Sequence, residues 1–283
     1  MEALKDWQAQ VSACRQARQR QDETMWRQLA GWYDTWVEHN DYVELVLSRL
    51  PTPLGAQTRL LEIGPGSGAF TLPLASTVRE VVALEPSPAM RRVLEHKLAK
   101  AGLNNVRIVP ERVEEGLHDV DGPFDLTLAS HSLYNVEPIA DVIRALVSLS
   151  RRTVVLMGVG EQPEWYRRIH RRFRGRDRTP SPHLGHFYPV LLELGVYADV
   201  EVVWASANYV YESEEALVDW WAHHLHLNGD HRETLQAALL PYAERRENEI
   251  GIYGRRRMAL LTIDSKRSIC TGNGDRAARH NSQ

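Results

Sequence analysis

A glycine-rich run lies between a strand-like and a helix-like segment of this 283-residue chain. It contains Gly64, Gly66 and Gly68, and Glu62 stands just before them. Alternating glycines let the backbone turn sharply and approach a ligand closely, and the start of the following helix offers N–H groups and the positive end of its dipole. The run therefore predicts a binding loop for a nucleotide-like ligand.

A second acidic residue, Glu85, ends the next strand-like segment, EVVALE. A carboxylate there can accept hydrogen bonds from both hydroxyls of a ribose, which S-adenosylmethionine and NAD both carry. The residues Gly64, Gly66 and Ala69 also satisfy the dinucleotide fingerprint G-x-G-x-x-G/A. Glu62 favours S-adenosylmethionine, because a carboxylate attracts a cationic sulfonium with an amino group and repels a pyrophosphate.

Three segments resemble motifs of the class I S-adenosylmethionine-dependent methyltransferases. The run LLEIGPGSGAFTLPLA resembles motif I, VVALEPSPAM resembles the acidic end of the second strand, and FDLTLASHSLYNVEPIADVIRAL resembles the segment after the fourth strand. They follow the family's order and spacing across roughly residues 59–158. The resemblance implies a seven-stranded sheet, S-adenosylmethionine as cofactor and an enzyme that transfers its methyl group.

The resemblance also implies cofactor-binding roles. In this chain the matching residues are Tyr33, Glu62, Gly64, Gly66, Gly68, Glu85, Pro86, Met90, Val113, Glu114 and Ser130. The glycines bend around the methionine and ribose portions, Glu85 holds the ribose hydroxyls, and Pro86 and Met90 flank the adenine. Tyr33 resembles a tyrosine that closes over the cofactor. Many relatives place an Asp after the third strand, where this chain has PERVEEG, so the adenine contacts are carried to Val113, through its backbone, and to Glu114.

The segment after the fourth predicted strand supplies the candidate catalytic residues His131 and Tyr134, beside Asn135. Methyl transfer is an in-line displacement on an activated sulfonium, so positioning does much of the work, and a base is needed only if the nucleophile carries a proton. His131 is a candidate base, with cofactor contact or ordinary packing as the alternatives. A later helix contains His223, His224 and His226, and two histidines three residues apart can bind a metal. No carboxylate or third ligand stands at motif spacing from such a pair, so no metal site is expected.

The elements that must position these residues alternate between strand and helix, which predicts a doubly wound, mostly parallel α/β sheet. Residues 1–55 are predicted to form an N-terminal helical cap and residues 56–264 a Rossmann-like domain, with helical lid insertions around 160–250 that form an acceptor pocket. Residues 179–189 are predicted as a loop, 189–195 as a short helix and 199–211 as one strand. Residues 265–283 are predicted to be a disordered tail.

Composition excludes several classes of protein. Hydrophobic residues make up 43% and charged residues 25%, which is typical of a soluble globular chain, and no apolar run approaches the roughly 20 residues of a spanning helix. No secretory signal is recognised, so a cytoplasmic location is expected. A net charge of -3 makes nucleic acid an unfavoured partner overall, although seven arginines between Arg167 and Arg178 form either a solvated face or a site for phosphate, carboxylate or RNA.

A small-molecule acceptor is the preferred interpretation, because the additions have the character of helical lids and include no recognisable RNA-binding module. An RNA acceptor is the enzyme alternative, since motif I also resembles ribosomal RNA adenine dimethyltransferases, but SHSLYN lacks their N/D-P-P-Y/F sequence. An NAD-dependent oxidoreductase and a non-catalytic S-adenosylmethionine-binding protein stay open as further alternatives. The oligomeric state does not follow from the sequence.

Overall fold

A seven-stranded sheet forms the centre of the protein, whose computed structural model describes residues 1–18, 32–51 and 53–268. Its strands are β1 (Arg59–Ile63), β2 (Glu80–Leu84), β3 (Val106–Val109), β4 (Phe124–Ser130), β5 (Ser150–Gly158), β6 (Ala198–Ser206) and β10 (Arg255–Asp264). Their order is β3-β2-β1-β4-β5-β10-β6. Six of these strands run in the same direction, and β10 runs in the opposite one. The predicted doubly wound, mostly parallel sheet of seven strands is thus confirmed.

A smaller antiparallel sheet has the order β7-β9-β8 and consists of β7 (Tyr209–Tyr211), β8 (Glu244–Arg246) and β9 (Glu249–Ile252). The helices are α1 (Glu2–Arg18), α2 (32–38), α3 (Tyr42–Leu47), α4 (Thr71–Ala75), α5 (Pro88–Ala101), α6 (Val113–Gly116), α7 (Ile139–Leu149), α8 (Glu164–Arg174), α9 (Leu184–Glu193), α10 (Glu214–His224), α11 (Arg232–Leu239) and α12 (Ser265–Ser268). Within the described ranges, no helix has both the length and the apolar character needed to cross a membrane.

Both faces of the large sheet are buried along β1 and β2, which explains why these two strands are almost continuously apolar. Helices α1, α7 and α9 cover one face, where Trp7 contacts Phe187 at 5.7 Å between ring centroids. Residues of α2, α3 and α4 cover the other face, around Trp36, Tyr42 and Leu74. The predicted N-terminal cap is therefore divided between the two faces of the sheet; its residues 19–31 lie outside the described residues.

A third apolar cluster joins α8, α10, α11 and the small sheet around Trp221, which is fully buried. Its neighbour Trp220 lies on another side of α10 and packs on Trp32 of α2 at 4.7 Å between ring centroids. The predicted lid region thus contains this helical unit, whereas α9 from the same region packs against α1 on the large sheet. Contact between Trp32 and Trp220 links the unit to the N-terminal segment.

Three local predictions are corrected by the structure. Residues 199–211 form two strands rather than one, because Asn208 turns the chain by bonding through its backbone N and its side chain to Asn40, His39 and Gly254. The predicted helix 189–195 starts earlier, as α9 (Leu184–Glu193), so the predicted loop 179–189 holds only over residues 179–183; His183 begins α9 by accepting a hydrogen bond from the backbone N of Gly185. The predicted tail begins with the short helix α12, and residues 269–283 lie outside the described part of the chain.

Candidate functional site

Most of the predicted site residues lie at the carboxyl edge of the large sheet. The strand order reverses between β1 and β4, and at such a switch point in a parallel sheet the two following loops separate and leave a crevice. The glycine loop follows β1, Glu85 follows β2, and His131 follows β4. Because β10 is antiparallel, its first residues also lie at this edge.

The glycine loop has three glycines in the left-handed region, with φ of 69° at Gly64, 59° at Gly66 and 93° at Gly68. A Cβ on Gly64 would lie 2.7 Å from Cβ of Ser132, so only glycine fits where the loop passes the chain after β4. Among the described residues, a Cβ on Gly66 would meet only a ring carbon of Tyr33, at 4.0 Å. Within the described part of the chain, the loop is therefore closely packed at Gly64 and has room for a ligand at Gly66.

Glu85 faces this loop and is 6% exposed. One carboxylate oxygen accepts a hydrogen bond from the backbone N–H of Gly66 at 2.9 Å, and the other accepts one from the N–H of Ser87 at 2.8 Å. Ser87 in turn caps α5 by accepting from the N–H of Met90. These bonds hold a buried carboxylate at the loop, where it can accept further hydrogen bonds from ligand hydroxyls.

Glu62 lies at the end of β1 and is 2% exposed. Its carboxylate accepts a hydrogen bond from Oγ1 of Thr71 at 2.7 Å. Burial raises the pKa of Glu62 to about 7, the Thr71 hydrogen bond opposes this shift, and the nearby charge of Glu85 adds to it. Two buried carboxyl groups beside one loop favour a positively charged ligand, whereas a pyrophosphate would be repelled.

The N-terminal segment packs directly on the glycine loop. Asp34 of α2 accepts a hydrogen bond from Oγ of Ser67 at 2.5 Å and one from Nζ of Lys97 at 2.6 Å. Its neighbour Tyr33 hydrogen-bonds through its hydroxyl to the hydroxyl of Tyr42 at 3.0 Å, and burial raises the pKa of Tyr33. Tyr33 lies beside the loop, since a ring carbon is 4.0 Å from a Cβ built on Gly66, and its closing over a cofactor stays a prediction.

The residues predicted to contact an adenine lie beside this loop with different exposures. Pro86 is exposed after β2, whereas Met90 is 2% exposed within α5. Val113 begins α6 just after β3, and Glu114 beside it pairs with Arg112 at 3.5 Å. Since β3 is next to β2, all four predicted adenine contacts belong to the same side of the crevice.

His131 and Tyr134 form a hydrogen-bonded pair after Ser130, the last residue of β4. Nδ1 of His131 lies 2.6 Å from the Tyr134 hydroxyl, which accepts a hydrogen bond from the N–H of Gly158 at 2.8 Å. The Tyr134 hydroxyl can donate its own proton to Nδ1, and that arrangement leaves the ring proton on Nε2. Nε2 is buried and has no hydrogen-bond partner in the described chain.

Burial and, to a smaller extent, the charge of Arg256 together lower the pKa of His131 to about 3. The ring is therefore neutral near pH 7. Its backbone is unusual as well, with φ of 54° in the left-handed region. With its proton on Nε2, His131 can donate a hydrogen bond into the site, whereas action as a base through Nε2 requires the other tautomer.

Four residues that the sequence analysis did not assign also lie here. They are Trp36 and Asp34 of α2, Ser132 after β4, and Arg256 near the start of β10. The guanidinium of Arg256 lies over the ring of Trp36, 5.0 Å from its centroid. No local pattern separates Arg256 from the neighbouring arginines of RRRMALLTI.

The arginine-rich segment is partly neutralised. Arg167 and Arg168 both pair with Glu164, and Arg171 pairs with Asp177 through two hydrogen bonds of 2.6 and 2.7 Å. All three arginine pairs are exposed, so they contribute little to stability. They reduce the positive charge that α8 presents to a polyanion.

Comparison with known proteins identifies one domain. Residues 60–153, a third of the chain, match a family model described as a methyltransferase domain. Over 53 residues the chain is 40% identical to the ribosomal RNA small subunit methyltransferase A of Desulforapulum autotrophicum. That alignment covers 19% of this chain and 19% of the relative's own length.

Two solved structures share the fold at low sequence identity. The YcgJ protein of Bacillus subtilis superimposes with a TM-score of 0.52 at 16% identity, covering 78% of this chain and 96% of its own. A candidate methyltransferase of Bacillus halodurans C-125 gives a TM-score of 0.54 at 11% identity, covering 79% and 98%. At these identities the likeness concerns the fold alone.

Proposed function

Residues 60–153 of this chain form a class I S-adenosylmethionine-dependent methyltransferase domain of the Rossmann-like type, and we propose that the protein uses it to methylate a small-molecule acceptor. The observation that carries the proposal is the pair of buried carboxyl groups, Glu62 and Glu85, beside a glycine loop whose Gly66 leaves room for a ligand. These two carboxyl groups suit a cationic amino-acid ligand with a ribose, because they accept hydrogen bonds and offer negative charge. Bound there, S-adenosylmethionine supplies an electrophilic methyl group on its sulfonium.

The chain's own residues then bind, orient and exclude water. Gly64 and Gly68 let the loop pass close to the protein beneath it, Gly66 leaves room for the ligand, and Glu85 accepts hydrogen bonds from the ligand's ribose hydroxyls. Glu62 offers negative charge beside the amino group. Pro86, Met90, Val113 and Glu114 border the adenine, and Tyr33 covers the loop. His131 and Tyr134, after Ser130, orient the acceptor, and Nε2 of His131 donates a hydrogen bond to it.

A small acceptor is supported by what covers the carboxyl edge. Helix α2 is tied to the glycine loop through Asp34 and Ser67, and Trp32 of the same helix packs against Trp220 of α10. These contacts enclose the edge on two sides, which suits a compact molecule better than a folded polynucleotide. The cytoplasmic location expected from the sequence stays a prediction.

An RNA acceptor is the second candidate. The observation in its favour is the short alignment with the ribosomal RNA methyltransferase of Desulforapulum autotrophicum. Against it stand the paired state of Arg167, Arg168 and Arg171 and the net charge of -3. Incubation of the protein with total RNA and labelled methyl donor separates the two candidates. Specific RNA labelling that is lost when Arg172 and Arg176 become Ala would overturn the small-molecule proposal.

Cofactor binding is tested by calorimetric titration with S-adenosylhomocysteine and, separately, NADH. We expect saturable binding of the homocysteine product, at least tenfold weaker binding by Glu85→Ala, and no binding of NADH. Glu111→Ala, which removes an acidic side chain after the neighbouring strand β3, serves as the control. Binding of NADH instead would return the loop to the dinucleotide interpretation. Tight binding without turnover on any acceptor would favour a non-catalytic protein.

A further inference from the structure

Arg256 stands at the carboxyl edge of the sheet, on the face covered by α2. Met258 pairs with Gly158, the last residue of β5, so Arg256 lies two residues beyond the end of that strand. Side chains alternate along a strand, which puts Arg256 on the same face as Met258 and Leu260. Both of these pack in the cluster that contains Trp36. The guanidinium therefore lies over the edge, beside the ring of Trp36.

The charge of Arg256 has no counter-ion in the described part of the chain. Its Nε is buried and makes no hydrogen bond with a described residue. The neighbouring arginines of β10 are engaged, since Arg257 pairs with Glu161 and Arg255 donates to the backbone O of Trp204. A partly buried guanidinium with an unsatisfied donor is costly unless a hydrogen-bond acceptor binds it, and an anion also compensates its charge. The contact with Trp36 offsets only part of this cost.

The position of Arg256 indicates that an anion bound by its guanidinium would belong to the acceptor rather than to the cofactor. In the sheet order, β10 is separated from β1 by β4 and β5, which is about 14 Å at roughly 4.8 Å per strand. The glycine loop follows β1, whereas His131 follows β4, nearer to Arg256. The charge of Arg256 acts on His131 strongly enough to help lower its pKa. Arg256 thus borders the part of the crevice that lies beyond the cofactor loop.

Resting on the proposed methyl transfer, we propose that Arg256 binds an oxyanionic group of the acceptor, a carboxylate or a phosphate, and so selects an anionic small molecule as substrate. The planar guanidinium matches such a group with two parallel N–H donors. The body of the acceptor then lies against Trp36, with the methylated atom directed toward His131 and the glycine loop. Uncharged analogues leave the buried donor of Arg256 unpaired and bind more weakly.

The test is a titration of the protein, saturated with S-adenosylhomocysteine, with benzoate, phenyl phosphate and the uncharged benzamide, followed by tryptophan fluorescence. We expect at least one of the two anions to bind tenfold or more tightly than benzamide. Arg256→Met should remove this preference and Arg256→Lys should retain part of it. Arg257→Met, which changes the adjacent residue on the opposite face, should leave the preference unchanged.

Several outcomes would overturn the proposal. Anions that bind no more tightly than benzamide would do so, as would a preference that survives in folded Arg256→Met. If Arg256→Met weakens the binding of S-adenosylhomocysteine itself by tenfold, the guanidinium serves the cofactor's carboxylate instead. Failure of the wild-type protein to bind S-adenosylhomocysteine would contradict the proposed function, whereas the anion titration without that ligand would still report on Arg256.

Discussion

Ser67 in the glycine loop donates a hydrogen bond to Asp34 of helix α2 at 2.5 Å, and Lys97 of α5 contacts the same carboxylate oxygen at 2.6 Å. One side chain thereby ties the N-terminal segment to both the binding loop and the helix beneath it. Since the loop and α2 are separated by more than 25 residues, this contact decides how firmly the crevice is covered.

Loss of this tie should loosen the N-terminal segment. Asp34→Ala removes a hydrogen bond and a half-buried ion pair, together worth about 1 to 2 kcal/mol. We expect limited proteolysis within residues 1–55 to become roughly five to ten times faster. Glu38→Ala, which removes an exposed acidic side chain from the same helix, is the matched control. Equal cleavage rates for both variants would show that Asp34 does not hold the segment.

The raised pKa of Glu62 should make cofactor binding depend on pH. Near pH 6 the carboxyl of the ligand-free protein is mostly protonated, because its pKa is about 7. The ammonium group that S-adenosylhomocysteine would place beside Glu62 favours the ionised carboxylate, so affinity for this ligand should rise up to about tenfold between pH 6 and pH 8. Calorimetry at the two values checks this. Glu62→Gln should flatten the dependence, and an affinity that falls with rising pH would contradict the assignment.

The raised pKa of Glu62 should also make the stability of the ligand-free protein depend on pH. Stability should fall as pH rises, whereas cofactor affinity should increase. A carboxyl group whose folded pKa lies above its ordinary value of 4.5 binds its proton more tightly when folded. Its stabilising contribution is present below pH 4.5 and is lost as pH rises through 7. At pH 8 we expect Glu62→Gln to unfold in urea at a higher concentration than the wild type. A lower midpoint would sink this expectation.

Two glycines of the loop should respond differently to alanine. Gly66→Ala requires a positive φ, but its methyl group meets no described atom closer than 4.0 Å, so it should cost only about 1 to 2 kcal/mol of stability while weakening cofactor binding at least tenfold. Gly68→Ala also drives a methyl group against Leu72 and Leu94 and should cost about 2 to 4 kcal/mol. Urea unfolding and titration with S-adenosylhomocysteine separate the two effects. Unchanged affinity in Gly66→Ala would place the ligand elsewhere.

A histidine far from the loop should make the protein sensitive to acid. His224 stacks on Trp220 at 4.8 Å, shares a hydrogen bond of 3.0 Å with the Tyr166 hydroxyl, and has its pKa lowered to about 3 by burial and then by Arg178. A folded pKa below 6.5 means that stability is lost as pH falls from 6.5 toward 3.

At pH 5 this single group should cost about 1 to 2 kcal/mol of unfolding free energy relative to pH 7. Thermal or urea unfolding at the two pH values measures the loss, which should be smaller in His224→Gln. His223→Gln, an exposed change at the adjacent position, should behave as the wild type. A loss of equal size in all three proteins would assign the acid sensitivity to other groups.

Local sequence was sufficient to predict the glycine loop after β1 and most of the large sheet. Glycine spacing after β1, the carboxylates Glu62 and Glu85, and continuous apolar runs are short-range signals whose physical causes act within a few residues. The strand at 199–211 was wrong because the turn at Asn208 depends on partners at Asn40 and Gly254, which no local period encodes.

Tertiary structure alone decided which distant residues complete the crevice. Strand β10 reaches the carboxyl edge only because it inserts antiparallel between β5 and β6, and this places Arg256 beside Trp36 across 220 positions of chain. Contact between Asp34 and Ser67 likewise depends on how α2 packs on the sheet. The sequence by itself determined the residue types and the conformation of the glycine loop, because these are local, whereas long-range packing and strand order decided which residues lie at the proposed acceptor position.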